Sequence, residues 1–198
     1  MGVTIDDIKK LKELTGVGLT DAKTALTEAD GDFDAALQAM RKKGLTRAEK
    51  KGDRETREGL IESYVHSDRI GVIVEVNCET DFVARLPEFK ELAHQLAMQI
   101  AAMNPQYSTE DDIPAADYEA KKAEFLASDS LKEKPAEMAG KIVEGQLKKH
   151  FAEQVLASQT FVLDDTMTVE DRIKQQIAKS GENIRVSQFR RIELGISE

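Results

Sequence analysis

Tryptophan is absent from the 198 residues, cysteine occurs once, and aromatic side chains make up only 5% of the chain. Each scarcity closes a class of answer. A lone cysteine, Cys78, excludes an internal disulfide and with it a disulfide-stapled secreted framework. No apolar run reaches the about 18 residues that a bilayer helix needs, and the N-terminus lacks a basic segment followed by a hydrophobic signal core. Met1 and Gly2 open like a myristoylation site, but Asp6 stands where that motif takes Ser or Thr. The expected location is the cytoplasm. Catalytic signatures are missing as well: there is no HExxH, CxxC or GxSxG, and His66, His94 and His150 are scattered without metal-ligand spacing. His66 and Cys78 lie at opposite ends of one extended run, about 20 Å or more apart at strand rise, which is too far for proton transfer. Cys78 reads as buried and inert. No enzyme activity, metal or cofactor is expected.

Charged residues supply 33% of the chain and hydrophobic ones 40%, the balance of a helix-rich globular protein with room for one ordinary domain and a small second one. Net charge is -9, which disfavours general attraction to nucleic-acid phosphates. The charge is uneven. From Arg41 to Arg57, eight basic residues stand against Glu49, Asp53 and Glu55, leaving +5 there and -14 elsewhere. With no aromatic interleaved for base stacking, this stretch reads as a solvated linker and not as an RNA contact.

Thr4 with Asp7 resembles a capping box, and Ile5, Ile8, Leu11 and Leu14 follow at helical spacing up to Gly16. A second helix opens at Thr20 or Asp21 and stops at Asp30 and Gly31. A third carries Phe33, Ala36, Leu37 and Met40 and is closed by Gly44. Three helices of this length form a partner-docking module too small to be robust alone. In its Gly16–Leu19 loop, Val17 and Leu19 either face a partner or complete the small core. Lys23 and Thr24 do not make a phosphate loop, because no Gly precedes Lys23 and no strand precedes Gly16.

Residues 46–58 are almost wholly polar and read as a flexible or frayed link. Leu60 to Val65 and Ile70 to Val76 then predict a hairpin with a four-residue loop, and Phe89, Leu92, Ala93, Leu96, Ala97, Ile100 and Ala101 predict a helix covering it. Two charged helices, about 115–128 and 135–151, are joined by a turn around Leu131 and Glu133. Tyr118 and Phe125 mark the first, and Met138, Ile142 and Leu147 give the second a narrow stripe. They form a helical hairpin that either projects or lies on the sheet. Val155 to Leu163 reads as extended, Thr168 caps a helix that Gly181 stops, and Asn183 to Leu194 supplies a third strand with a bulge near Gln188. Ile61, Ile73 and Phe189 are expected on the sheet face away from the covering helix, an apolar face suited to a second copy. The fold class is α+β, with a three-helix module at 1–45, a charged linker at 46–58, and a core and dimerisation domain at 59–198. That core is a small three-stranded antiparallel sheet packed by helices, with the hairpin at about 115–151 inserted.

Between the second strand and the long helix stand Thr80, Asp81, Phe82, Val83, Ala84 and Arg85. An acidic residue beside a large aromatic, in a loop on a rigid mount, is a probe for another protein, or Thr80 or Asp81 caps a turn and Phe82 folds back as a hydrophobic staple.

The stretch Leu11 to Gly31, LKELTGVGLTDAKTALTEADG, resembles the ubiquitin-associated-type module of bacterial elongation factor Ts, the guanine-nucleotide exchange partner of elongation factor Tu. IGVIVEVNCETDFVAR at Ile70 to Arg85 resembles that family's signature. KPAEMAGKIVEGQLKK at Lys134 to Lys149 and QTFVLDD at Gln159 to Asp165 resemble its coiled-coil insertion and the segment after it. The likeness covers nearly the whole chain. It implies that Thr80, Asp81, Phe82 and Val83 approach the nucleotide domain of elongation factor Tu and displace its Mg²⁺, without covalent chemistry. It also implies that Val17, Leu19, Asp21 and Lys23 dock the module on that domain and that the coiled coil meets the partner's other domains. Longer members carry two related core units where this chain has one, and short members resemble one another in completing the missing half as homodimers. Gln99 stands where longer members often have His. A competing reading is an adaptor that binds RNA or a ubiquitin-like fold through the basic stretch or the helical module.

Overall fold

The computed structural model of the chain describes residues 3–128 and 135–196. Helix α1 (Ile5–Thr15) starts at Thr4, whose hydroxyl oxygen accepts from the Asp7 amide, and stops at Gly16 in the left-handed region at φ 68°. Helices α2 (Leu19–Glu28) and α3 (Phe33–Glu49) complete the module around Leu11, Val17, Ala22, Ala25, Leu26, Ala36 and Met40. Here the structure departs from the sequence-based expectation. Helix α3 runs through Gly44 to Glu49, because the bare glycine faces Ala178 closely and the packing offsets a propensity cost of about 1 kcal/mol. Its far end, at Ala48, belongs to the main core. The residues that follow are pinned, not frayed: Lys51 Nζ donates to the Gly181 carbonyl at 2.6 Å, and Asn183 Nδ2 donates to the carbonyls of Gly52 (3.0 Å) and Arg54 (2.8 Å).

Strands β1 (Glu58–His66) and β2 (Ile70–Cys78) pair antiparallel, with Leu60 opposite Val76 and His66 opposite Ile70. Their connection is three residues, one fewer than predicted. The Arg69 amide returns to the His66 carbonyl, and Ser67 and Asp68 both take positive φ, a twist that suits the strands they join. After the short helix α4 (Asp81–Ala84), helix α5 (Pro87–Met103) lays Phe89, Leu92, Ala93, Leu96, Ala97 and Ile100 on Val72, Val74 and Val76.

Helices α6 (Ala115–Leu126) and α7 (Ala136–Gln154) pack on each other around Ala139, Val143, Leu147 and Phe151, with Tyr118 stacked on Phe151 at 5.6 Å. This cluster is separate from the sheet's core, so the pair is a unit of its own and not a layer on the sheet. Of the expected stripe, Leu147 is buried and Ile142 packs beside it, while Met138 is exposed and Ala139 and Val143 take the inner positions. The turn expected around Leu131 and Glu133 lies outside the described residues.

The run from Val155 is not one extended segment. It makes a 3₁₀ turn at Leu156–Ser158 and then a hairpin, β3 (Thr160–Phe161) with β4 (Asp164–Thr168). Gln99 is buried beneath it, donating to Gln159 Oε1 and the Thr160 carbonyl and accepting from the Val162 amide. That side chain is spent on the interior. Helix α8 (Val169–Ser180) opens with a capping box of Thr168 and Asp171 and ends at Gly181, φ 82°. Strand β5 (Ile184–Glu193) joins β2, giving the order β1-β2-β5.

A bulge interrupts β5. Glu75 opposes Gln188 while Val76 opposes Val186, so Ser187 is the extra residue. The phase flips there and corrects one expectation: Phe189 pairs with Val74 and packs against the core, while Ile192 points outward. The exposed apolar residues of the outer face are Ile61, Val65, Ile73 and Ile192. Among the described residues no helix is long and apolar enough to cross a membrane.

Candidate functional site

Strand β2 delivers the chain to Thr80, which is extended (φ -130°, ψ 155°) and caps α4, its hydroxyl oxygen accepting from the Val83 amide at 3.5 Å. One helical turn then sorts its side chains by direction. Val83 and Ala84 enter the core, while Phe82 stays 77% exposed. The cap that the sequence allowed is present, but the staple is not. Asp81 also faces out and pairs with Arg85 at 2.8 Å across an exposed surface, a bond worth little to stability.

The mount of this turn comes from far along the chain. Glu182, just beyond the glycine that ends α8, accepts from the Thr80 amide through Oε2 (3.0 Å) and from the Thr80 hydroxyl through Oε1 (2.7 Å). Next to it, the Asn183 amide donates to Glu79 Oε1 at 2.6 Å, and Arg54 reaches the same oxygen at 3.4 Å. Glu182 and Asn183 carried no sequence signal. They are polar residues after a helix stop, 102 and 104 positions from the groups they hold. Cys78 closes the underside, its Sγ donating to the Thr80 carbonyl at 3.1 Å. Burial, reinforced by the negative charge of Glu182, pushes that thiol up to about 11. His66 sits at the other end of the hairpin from Cys78, so the structure does not bring that imidazole to the thiol.

The module's predicted residues divide. Val17 is buried in the three-helix core, whereas Leu19, the first residue of α2, is 53% exposed. Lys23 lies one turn on, also exposed, and Asp21 meets Lys43 at 3.3 Å. Leu19 and Lys23 therefore form the outward surface, with Val17 beneath the loop. The module meets the sheet domain at α8, where Gly16 lies so close to Lys179 that any side chain there would collide with its backbone. Lys179 in turn pairs with Glu88 of α5 at 3.4 Å. Both candidate surfaces thus meet at the end of α8, the module on its last turn and the Phe82 turn on the residues just beyond it. Within the basic stretch, Lys51 and Arg54 are engaged internally.

The sequence family described as Elongation factor TS matches residues 20–196, a span holding all of α2 but its first residue, α3, the turn at Thr80–Arg85, the helical pair and the whole sheet. The chain belongs to the elongation factor Ts family. Elongation factor Ts of Thermotoga petrophila is 53% identical over 196 residues, covering 98% of this chain and 98% of that relative. The protein of the same name from Pseudothermotoga lettingae is 48% identical over 196 residues, with 98% and 99% covered. That of Herpetosiphon aurantiacus is 46% identical over 197 residues, again with 98% and 99% covered. Membership places the chain among the exchange factors of protein biosynthesis.

Proposed function

We propose that this member of the elongation factor Ts family binds elongation factor Tu with GDP and promotes exchange of GDP for GTP by displacing Mg²⁺ and distorting the nucleotide pocket. The observation that carries the reading is the exposed phenyl ring of Phe82, held on a turn whose next two residues are locked in the core. A ring left in water at a rigid site is prepared for a partner. Phe82 inserts between helices of the nucleotide domain, Asp81 supplies the polar contact beside it, and Thr80 and Val83 fix the turn that carries them. Leu19, Asp21 and Lys23 dock the module on the same domain, with Val17 shaping the loop from below. The pair α6 and α7 reaches the partner's other domains.

No bond is made or broken. The action is a linkage: a surface that binds the Mg²⁺-free, distorted pocket better must weaken GDP by the same factor by which GDP weakens that surface. About 1.4 kcal/mol of such coupling changes an affinity tenfold, so a few contacts suffice. A second copy of the chain covers the outer sheet face around Ile73 and Ile192, and the work is done in the cytoplasm. Catalytic amounts of the protein are expected to speed release of fluorescent GDP from elongation factor Tu. The double variant Asp81→Ala, Phe82→Ala is expected to lose this while keeping its fold. Full activity in that variant would sink the mechanism, and salt-sensitive RNA binding lost with the lysines of 42–51 would favour the adaptor reading.

A further inference from the structure

The turn that presents Phe82 is too short to hold itself. A single helical turn fixes several backbone angles for very few hydrogen bonds, which is unfavourable in isolation. The bonds within α4 and its cap are long: Ala84 N to Thr80 O is 3.3 Å, Arg85 N to Asp81 O is 3.2 Å, and Val83 N to Thr80 Oγ1 is 3.5 Å. The short ones lie outside the turn. Both donors of Thr80 end on the two oxygens of Glu182, at 2.7 and 3.0 Å, and bonds to a carboxylate are roughly twice as strong as neutral ones.

Glu182 is itself held on both sides. Its own amide donates to Ser180 Oγ at 3.2 Å, the preceding carbonyl of Gly181 takes the Lys51 ammonium, and the following Asn183 side chain bonds the carbonyls of Gly52 and Arg54. The backbone that carries the carboxylate is therefore fixed to the segment that follows α3 as well as to α8. We infer that Glu182 is a positioning residue for the exposed turn: it orients Thr80, and through Thr80 the Phe82 ring, and ties that ring's direction to the placement of the three-helix module. The geometry stands by itself, while its consequence for nucleotide release rests on the exchange reading above.

The test compares Glu182→Ala with Glu182→Gln, which keeps one acceptor oxygen. In the free protein, amide hydrogen exchange at Val83, Ala84 and Arg85 is expected to quicken at least tenfold in Glu182→Ala, with the thermal midpoint almost unmoved. Glu182→Gln is expected to fall between that variant and the parent. In GDP release, the rate at saturating factor should drop about tenfold in Glu182→Ala, whereas the concentration giving half the effect should shift little, because the module still docks. Parent-like amide protection in Glu182→Ala would overturn the proposal, and so would loosening of amides throughout the core to the same degree. If Glu182→Ala does not fold, Thr80→Val removes the hydroxyl while keeping the shape. The same local loosening is then expected, and its absence overturns the proposal. Failure of the parent protein to speed GDP release would instead sink the exchange reading and leave the amide result standing.

Discussion

Phe82 and Cys78 sit four residues apart and answer to opposite rules. The ring of Phe82 contributes almost no buried area, so Phe82→Ala is expected to change unfolding free energy by no more than about 0.5 kcal/mol while abolishing accelerated GDP release. A urea titration beside a stopped-flow measurement checks both halves. Cys78 has no such freedom. Its folded-state pKa lies above the ordinary thiol value, so the fold favours the neutral form. That stabilising contribution is complete below about pH 9 and is lost as pH rises toward about 11, where the native thiol ionises. At pH 8 the native thiolate fraction is about a hundredfold below that of the unfolded chain. Labelling by a thiol reagent should be at least that much slower in buffer than in denaturant. Gly59 is a third kind of residue: at φ 152° it has no room for a Cβ, which would run into the Val76 carbonyl. Gly59→Ala is expected to cost about 1–3 kcal/mol through displaced strand pairing, read as a lowered urea midpoint.

At the scale of elements, what the sequence revealed was local and what it hid was not. Thr4 with Asp7, the cap at Thr168, and the stops at Gly16 and Gly181 were legible because each satisfies its hydrogen bonds within a few residues. The hairpin and even the slip near Gln188 followed from alternation, and the long covering helix from apolar residues three and four apart. Helix α3 overran Gly44 because α8 packs against it, and no window on α3 holds that information. The side on which Phe189 falls depended on which single residue of β5 is extra, and a one-residue change in register reverses every side chain beyond it. At the site, the cap at Thr80 was readable, but the choice between an outward ring and a staple was not. That choice is made in part by Glu182, a hundred positions away. Asn183 holds the same joint. Its replacement by Ala leaves the carbonyls of Gly52 and Arg54 without their donor, and a loss of about 1–3 kcal/mol is expected in urea unfolding, with faster proteolysis around residues 50–57.

For the molecule as a whole, the proposed homodimer rests on the outer face of the sheet. Ile73 and Ile192 are largely exposed, and Gly71 between the edge strands leaves a shallow floor beside them. Light scattering is expected to give a parent of twice the chain mass and, for Ile73→Lys with Ile192→Lys, a folded monomer, since neither side chain is part of the core; a monomeric parent would overturn the proposal. The same sheet has a consequence in time. Its central strand gains its second neighbour only from residues 113 positions later, as in Glu75 with Gln188, and the clamp on Thr80 spans 102. Closing such loops is slow compared with forming the first hairpin and its helix. During synthesis the signature turn is therefore made early and armed late. A chain interrupted before Glu182 carries every residue of the proposed probe but not the carboxylate inferred to aim it, so an unfinished copy is expected to be the weaker exchange factor.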